Sequence, residues 1–229
     1  MNKCLVTKLN GVVSNKNLTP LGCIAFTVDN SNSTLKLDCE GNNVEYFTAN
    51  GEAVFSTDKS DFVNRISANQ VVYVKVNKPT LVFISNKYEL AKLDIYDSVG
   101  KALIYIDLSD LKYCKKLTWL AISNLSLTGD ISSLSSLTNL QTLELAETSV
   151  SGDISSFNNM VKLSVLKMGN IGTGYFKTLC NSLKNNGRTS GTLIFWAFGG
   201  LIKIDNQTEC PNNDVIATFS EGSISYKGL

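Results

Sequence analysis

Apolar and polar positions between Leu117 and Gly174 recur with a fixed step. Leu117, Leu140 and Leu163 stand 23 residues apart. The same step carries Leu120 onto Leu143 and Leu166, and Ile122 onto Leu145 and Met168. Gly129-Asp130-Ile131-Ser132-Ser133 returns as Gly152-Asp153-Ile154-Ser155-Ser156, Leu134 as Phe157 and Leu137 as Met160. Agreement at so many positions marks a solenoid in which each unit is one coil of chain. Within L-x-x-L-x-L the last two apolar residues alternate with outward-pointing ones, the period of a strand with one buried face. One coil cannot enclose its own leucines. Neighbouring coils must therefore stack, bury a continuous core and lay their strands side by side as a parallel sheet on a concave side.

The pattern extends in both directions. Leu90-x-x-Leu93-x-Ile95 is an imperfect first unit, 27 residues before the next, whereas Asp107-Leu108-Ser109-Asp110-Leu111 keeps the 23-residue step. The four extra residues therefore fall between Ile95 and Asp107, near Ser98-Val99-Gly100. Insertions of this kind sit in loops on one face of a solenoid and offer a point of partner contact. Downstream, Phe176, Leu179, Cys180 and Leu183 follow helical spacing, and Asn185-Asn186-Gly187 gives the stop. Thr192–Phe198 reads as a strand that places Leu193 and Phe195 where Leu166 and Met168 stand one coil earlier. Ala217–Ser220 and Ser223–Tyr226 flank Glu221-Gly222, a hairpin signal. Residues 174–229 are thus expected to cap the last core layer.

Before residue 86 the periods shorten. Cys4–Leu9, Cys23–Val28, Thr34–Cys39, Val44–Phe47, Ala53–Ser56, Val71–Val76 and Thr80–Ile84 are short β-type runs. Asn, Gly and Asp clusters punctuate them, and the stretch Asp58–Ile66 offers a helical turn. Such runs predict an antiparallel β-sandwich over residues 1–86, for assembly or anchoring. The expected fold is therefore α+β and mostly β: an N-terminal sandwich, then a short solenoid with an α/β cap over residues 87–229.

Composition narrows the chemistry. A chain of 229 residues with 43% hydrophobic and 18% charged residues can bury a core. A formal net charge of +1 offers no broad grip on nucleic acid. The absence of histidine removes Ser-His-Asp and Cys-His catalysis and His-ligated zinc. None of the six cysteines forms a C-x-x-C pair; Cys114 and Cys180 occupy apolar positions and read as small buried hydrophobes. Met1 to Asn10 lacks the apolar core of a secretory signal, and no apolar run is long enough to span a bilayer. We therefore expect no nucleic-acid partner, no membrane insertion and no cofactor.

Candidate binding residues follow from strand alternation. Lys92 and Asp94, Trp119 and Ala121, Thr142 and Glu144, and Val165 and Lys167 flank the second apolar residue of each strand and point out of the core. Ile194 and Trp196 continue the series in the cap. Aromatic and apolar groups rimmed by charges make a binding patch, unless a loop or second subunit covers Trp119. Asp107, Asp130 and Asp153 recur at one position and stack as a column; calcium binding is one use, and capping of backbone N–H groups is the stronger expectation. Asp94, Glu144 and Glu147 place carboxylates near the same face, as a glycosidase pair would need, but surface charge beside Lys92 and Lys167 accounts for them. No catalytic or metal-binding residue is assigned.

The repeats resemble the leucine-rich-repeat family, and Leu127-Thr128-Gly129-Asp130-Ile131 looks like its plant-type variant. That variant has Pro after the Ile, where Ser132 and Ser155 stand, and Asn at the strand exit, which Asn124 and Asn170 match and Glu147 does not. The opening Met-Asn-Lys-Cys-Leu-Val-Thr-Lys-Leu-Asn-Gly is similar to virion proteins of crAss-like gut bacteriophages. This second resemblance implies a non-enzymatic head-fibre or tail-associated component, assembled in the host cytoplasm. It also implies a trimer that contacts other virion proteins and displays the solenoid toward a host surface glycan or protein. The alternative is a bacterial surface or secreted leucine-rich-repeat adhesin.

Overall fold

A computed structural model describes the strand backbones at residues 23–28, 36–39, 45–48, 72–75, 80–85, 90–96 and 104–105, then residues 108–123, 127–146, 148–169, 171–197 and 201–229. Side chains are described for residues 90–94, 108–122, 127–145, 148–169, 171–197 and 201–229. Among these residues the molecule is mostly sheet, with a single α-helix.

The 23-residue step is the register of a parallel sheet. β6 (Leu90–Tyr96), β8 (Trp119–Ser123), β9 (Thr142–Ala146), β10 (Val165–Met168) and β12 (Gly191–Ala197) lie side by side and parallel. Leu120, Leu143 and Leu166 are register partners, and Leu93 pairs with Leu120 across the longer 27-residue connection. The four extra residues thus leave the strand register intact, as expected for a loop insertion. The first three connections return through 3-10 helices, at Leu108–Tyr113, Ile131–Leu134 and Ile154–Phe157. Their apolar residues Leu108, Leu111, Ile131, Leu134, Ile154 and Phe157 join one buried core with the strand leucines. Cys114, Leu137 and Met160 occupy one equivalent buried position, so the expected role of Cys114 holds.

The turn that opens each 3-10 helix explains the Gly-Asp repeat. Asp130 and Asp153 accept hydrogen bonds from the backbone N–H of Ser132 and Ser155, both at 2.8 Å, and so cap their helices. Asp107 lies outside the described residues. Parallel bridges Asp130–Ser151 and Asp153–Thr173 tie successive turns into a second, short ladder. Gly152 has φ +109°, and a Cβ there would lie 2.6 Å from Oδ1 of Asp130. Gly174 stands in the same relation to Asp153. Glycine recurs because the preceding coil's carboxylate occupies the space where a side chain would be. Hydroxyls and amides reinforce the stacking: Thr118 donates to the Ala91 carbonyl, Ser164 to that of Gln141 and Asn139 to that of Lys115.

Antiparallel strands flank the parallel block on both sides. The cap contributes α1 (Phe176–Asn185), β14 (Val215–Ser220) and β15 (Ser223–Lys227), with β14 paired to β12. The helix and the hairpin fall where the sequence places them, and Gly187 and Gly222 adopt φ +102° and +77° at the two stops. The last coil is shifted relative to expectation. Phe195 pairs with Leu166 and Ala197 with Met168, so Leu193 does not take the place of Leu166. Phe195 fills that layer because its ring stacks on Phe176 of α1, 4.1 Å between centroids. β11 (Thr173–Tyr175) and β13 (Leu201–Lys203) form a separate parallel pair.

On the other side, β1 (Cys23–Val28) pairs antiparallel with β6 and with β4 (Val72–Lys75), which pairs with β3 (Glu45–Thr48). The result is one open ten-stranded sheet ending at β15 and β3. β2 (Lys36–Cys39) and β5 (Thr80–Ser85) join β7 (Ile104–Tyr105) in a three-stranded sheet. Five expected strands are therefore present, at nearly the expected bounds. The expected Cys4–Leu9 and Ala53–Ser56 strands and the Asp58–Ile66 turn lie outside the described residues. So do Asn124, Asn170 and Glu147, and with them the Asn positions of the strand exits.

Candidate functional site

Register places the candidate residues in two rows on the face opposite the core. One row runs Lys92, Trp119, Thr142, Val165, Ile194, and the other Asp94, Ala121, Glu144, Lys167, Trp196. Adjacent strands lie about 4.8 Å apart, so neighbours along a row are in lateral contact range. All of the candidate residues are thereby brought onto one surface. Lys92 is exposed, whereas Asp94, Trp119, Glu144, Val165, Lys167, Ile194 and Trp196 are half-buried. Two positions depart from the expected exposure. Ala121 is only 1% and Thr142 only 5% exposed. Both are smaller than their row neighbours, so flanking side chains shield them and they form the floor.

The charges on this face alternate in sign, with Lys92 near Asp94 and Lys167 beside Glu144. Burial raises the pKa of the Glu144 carboxyl, the Lys167 ammonium opposes the shift, and Asp214 adds to it. Asp214 was not accessible to repeat-based reasoning, since it enters through the returning strand of the cap and not through a coil. No group of three or more metal-ligating side chains occurs among the described residues. The shallow hollow of about 350 Å³ beside Val150, Gly152, Ile171 and Leu201 lies at the short ladder and not on this face.

Behind the face, Arg188 is a group that sequence reasoning overlooked. It is 7% exposed, its guanidinium donates to the carbonyls of Leu163 and Thr192, and it lies 4.3 Å from the centroid of the Phe219 ring. It thereby ties the last regular coil to both cap strands. Burial lowers its pKa from the usual guanidinium value. The sequence signal was faint, a lone Arg directly after the Asn-Asn-Gly helix stop.

These features define a class: an open-sheet coil stack with one strand per coil and 3-10 helices in the first three connections, closed by antiparallel strands and presenting a continuous strand face. No family model matches the chain, and no curated protein does. Among solved structures, internalin C2 of Listeria monocytogenes, a leucine-rich-repeat protein, is similar at 20% identity. The match covers 48% of this chain and 42% of that one, with a TM-score of 0.29. A likeness of that extent carries no inference about fold or activity.

Proposed function

We propose that the chain is a non-enzymatic leucine-rich-repeat interaction protein, and a structural component of a bacteriophage particle, either a head fibre or a tail-associated fibre. In this reading the N-terminal strands belong to an antiparallel sandwich that assembles or anchors the protein as a homotrimer. The outward face of the parallel strands meets the partner. The observation that carries the reading is the two-row face itself, where Trp119, Val165, Ile194 and Trp196 lie half-buried among balanced charges. A surface that served only solubility would carry charged groups at those positions. The particle assignment rests on the resemblance of the segment Met1 to Gly11 to virion proteins of crAss-like phages.

Light scattering on the purified chain tests the assembly, with a stable trimer as the expected mass. Mass spectrometry of purified particles tests location, with peptides of this chain expected at stoichiometric yield. A monomer absent from particles and recovered from a bacterial surface would replace this reading with the adhesin.

A further inference from the structure

We infer that the outward face of the parallel strands takes a neutral, extended oligosaccharide, laid across the strands from Trp119 to Trp196; this rests on the binding role just proposed. The chain has two tryptophans, and both stand on this face. The largest fully buried side chains are Phe and Leu, among them Phe157, Phe176 and Phe195. The biggest aromatic surfaces therefore stand half-buried on the strand face and not in the core. Trp119 lies on β8 in one row and Trp196 on β12 in the other. Three strand spacings and a two-residue step put them on the order of 16 Å apart, a span of several sugar rings.

The chemistry between them selects the ligand. Glu144 and Lys167 lie along the path and can accept from and donate to hydroxyl groups. With Lys92, Asp94 and the nearby Asp214 the face mixes two positive with three negative side chains. Such a surface complements neither a polyanion nor a polycation. A pyranose chain matches it, with apolar C–H faces for the indoles and hydroxyls for the polar strip. Ala121 and Thr142 lie buried between the larger side chains of the rows, which leaves those larger groups to meet an extended chain.

The two tryptophans also report on the site. The full-length chain is titrated with cellohexaose, chitohexaose and mannohexaose while tryptophan emission is recorded. A saturable change with at least one sugar is expected. Trp119→Ala and Trp196→Ala should each weaken it about tenfold, as truncation of an aromatic hot spot does, while Trp119→Phe retains most of the affinity. Unchanged circular dichroism of the variants shows that they fold. No response to any of the three sugars, or equal affinity in Trp119→Ala, overturns the inference. Dextran sulfate and polylysine separate the two levels. If either shifts the emission in a Trp119-dependent way while the sugars do not, the face binds but not sugars. If no probe does, the binding role of the face falls as well.

Discussion

At the residue scale, the repeat is enforced by contacts that allow one side chain only. Gly152 combines φ +109° with an Asp130 carboxylate where its Cβ would be. Gly152→Ala should therefore destabilise the fold by about 1–3 kcal/mol, seen as a lower urea midpoint with an unchanged slope. Gly187, with φ +102° but open space around it, should cost less when changed to Ala. Acid sensitivity has its own signature. Hydrogen bonds from Lys177, from the Gln207 backbone and from Thr208 hold the Asp205 carboxyl far below its usual range. Hydrogen bonds from Ser132 lower Asp130. Groups with depressed values contribute stability above the unfolded pKa and lose it as pH falls, so the urea midpoint should drop between about pH 5 and 2. Asp205→Asn should lower the midpoint at neutral pH and flatten that drop. Glu144 has the opposite sign: its raised value disfavours the ionised fold, so Glu144→Gln should be neutral or stabilising at pH 7 and gain nothing on acidification. The sequence showed that Gly and Asp recur together, but not that one coil's Asp fills the next coil's Gly, because that contact crosses coils.

At the scale of elements, strand positions were legible because one period dictated them. A leucine that must be buried every 23 residues fixes both the strand and its register, and Leu120–Leu143–Leu166 pair as the spacing requires. The last coil was misread for a matching reason. Its insertion of α1 breaks the step, and the aromatic stack of Phe176 on Phe195, not the repeat, sets which residue enters the layer. Arg188 was illegible because burial of a lone guanidinium is decided by three elements that converge on it. Its bonds to the Leu163 and Thr192 carbonyls join coil to cap. Arg188→Leu removes both and leaves the buried Leu163 carbonyl and the part-buried Thr192 carbonyl without that donor, at a cost of about 1–3 kcal/mol. Hydrogen exchange should then speed up most in β12 and β14, where local opening adds to the cooperative unfolding shared with β8 and β9. Equal loss in all four strands would contradict a local role.

At the scale of the molecule, the decisive feature is continuity. The parallel block cannot end as it repeats, since its outermost strands would expose both a core layer and a row of unpaired backbone groups. The chain solves this twice with antiparallel strands, β1 against β6 and β14 against β12. Backbone hydrogen bonding thus runs without interruption from β3 to β15. Nearest-neighbour coupling along such a sheet makes distant strands unfold together. Tryptophan emission reports β8 and β12, and far-UV circular dichroism reports all strands. The two urea transitions should therefore coincide. A fragment of residues 87–229 loses β1 and bares one edge of β6, so it should unfold at lower urea and associate with concentration, while the full chain keeps a constant mass. Two separate transitions in the full chain, or a fragment as stable as the whole, would mean that the β1–β6 pairing carries no load and that the N-terminal strands are an independent unit.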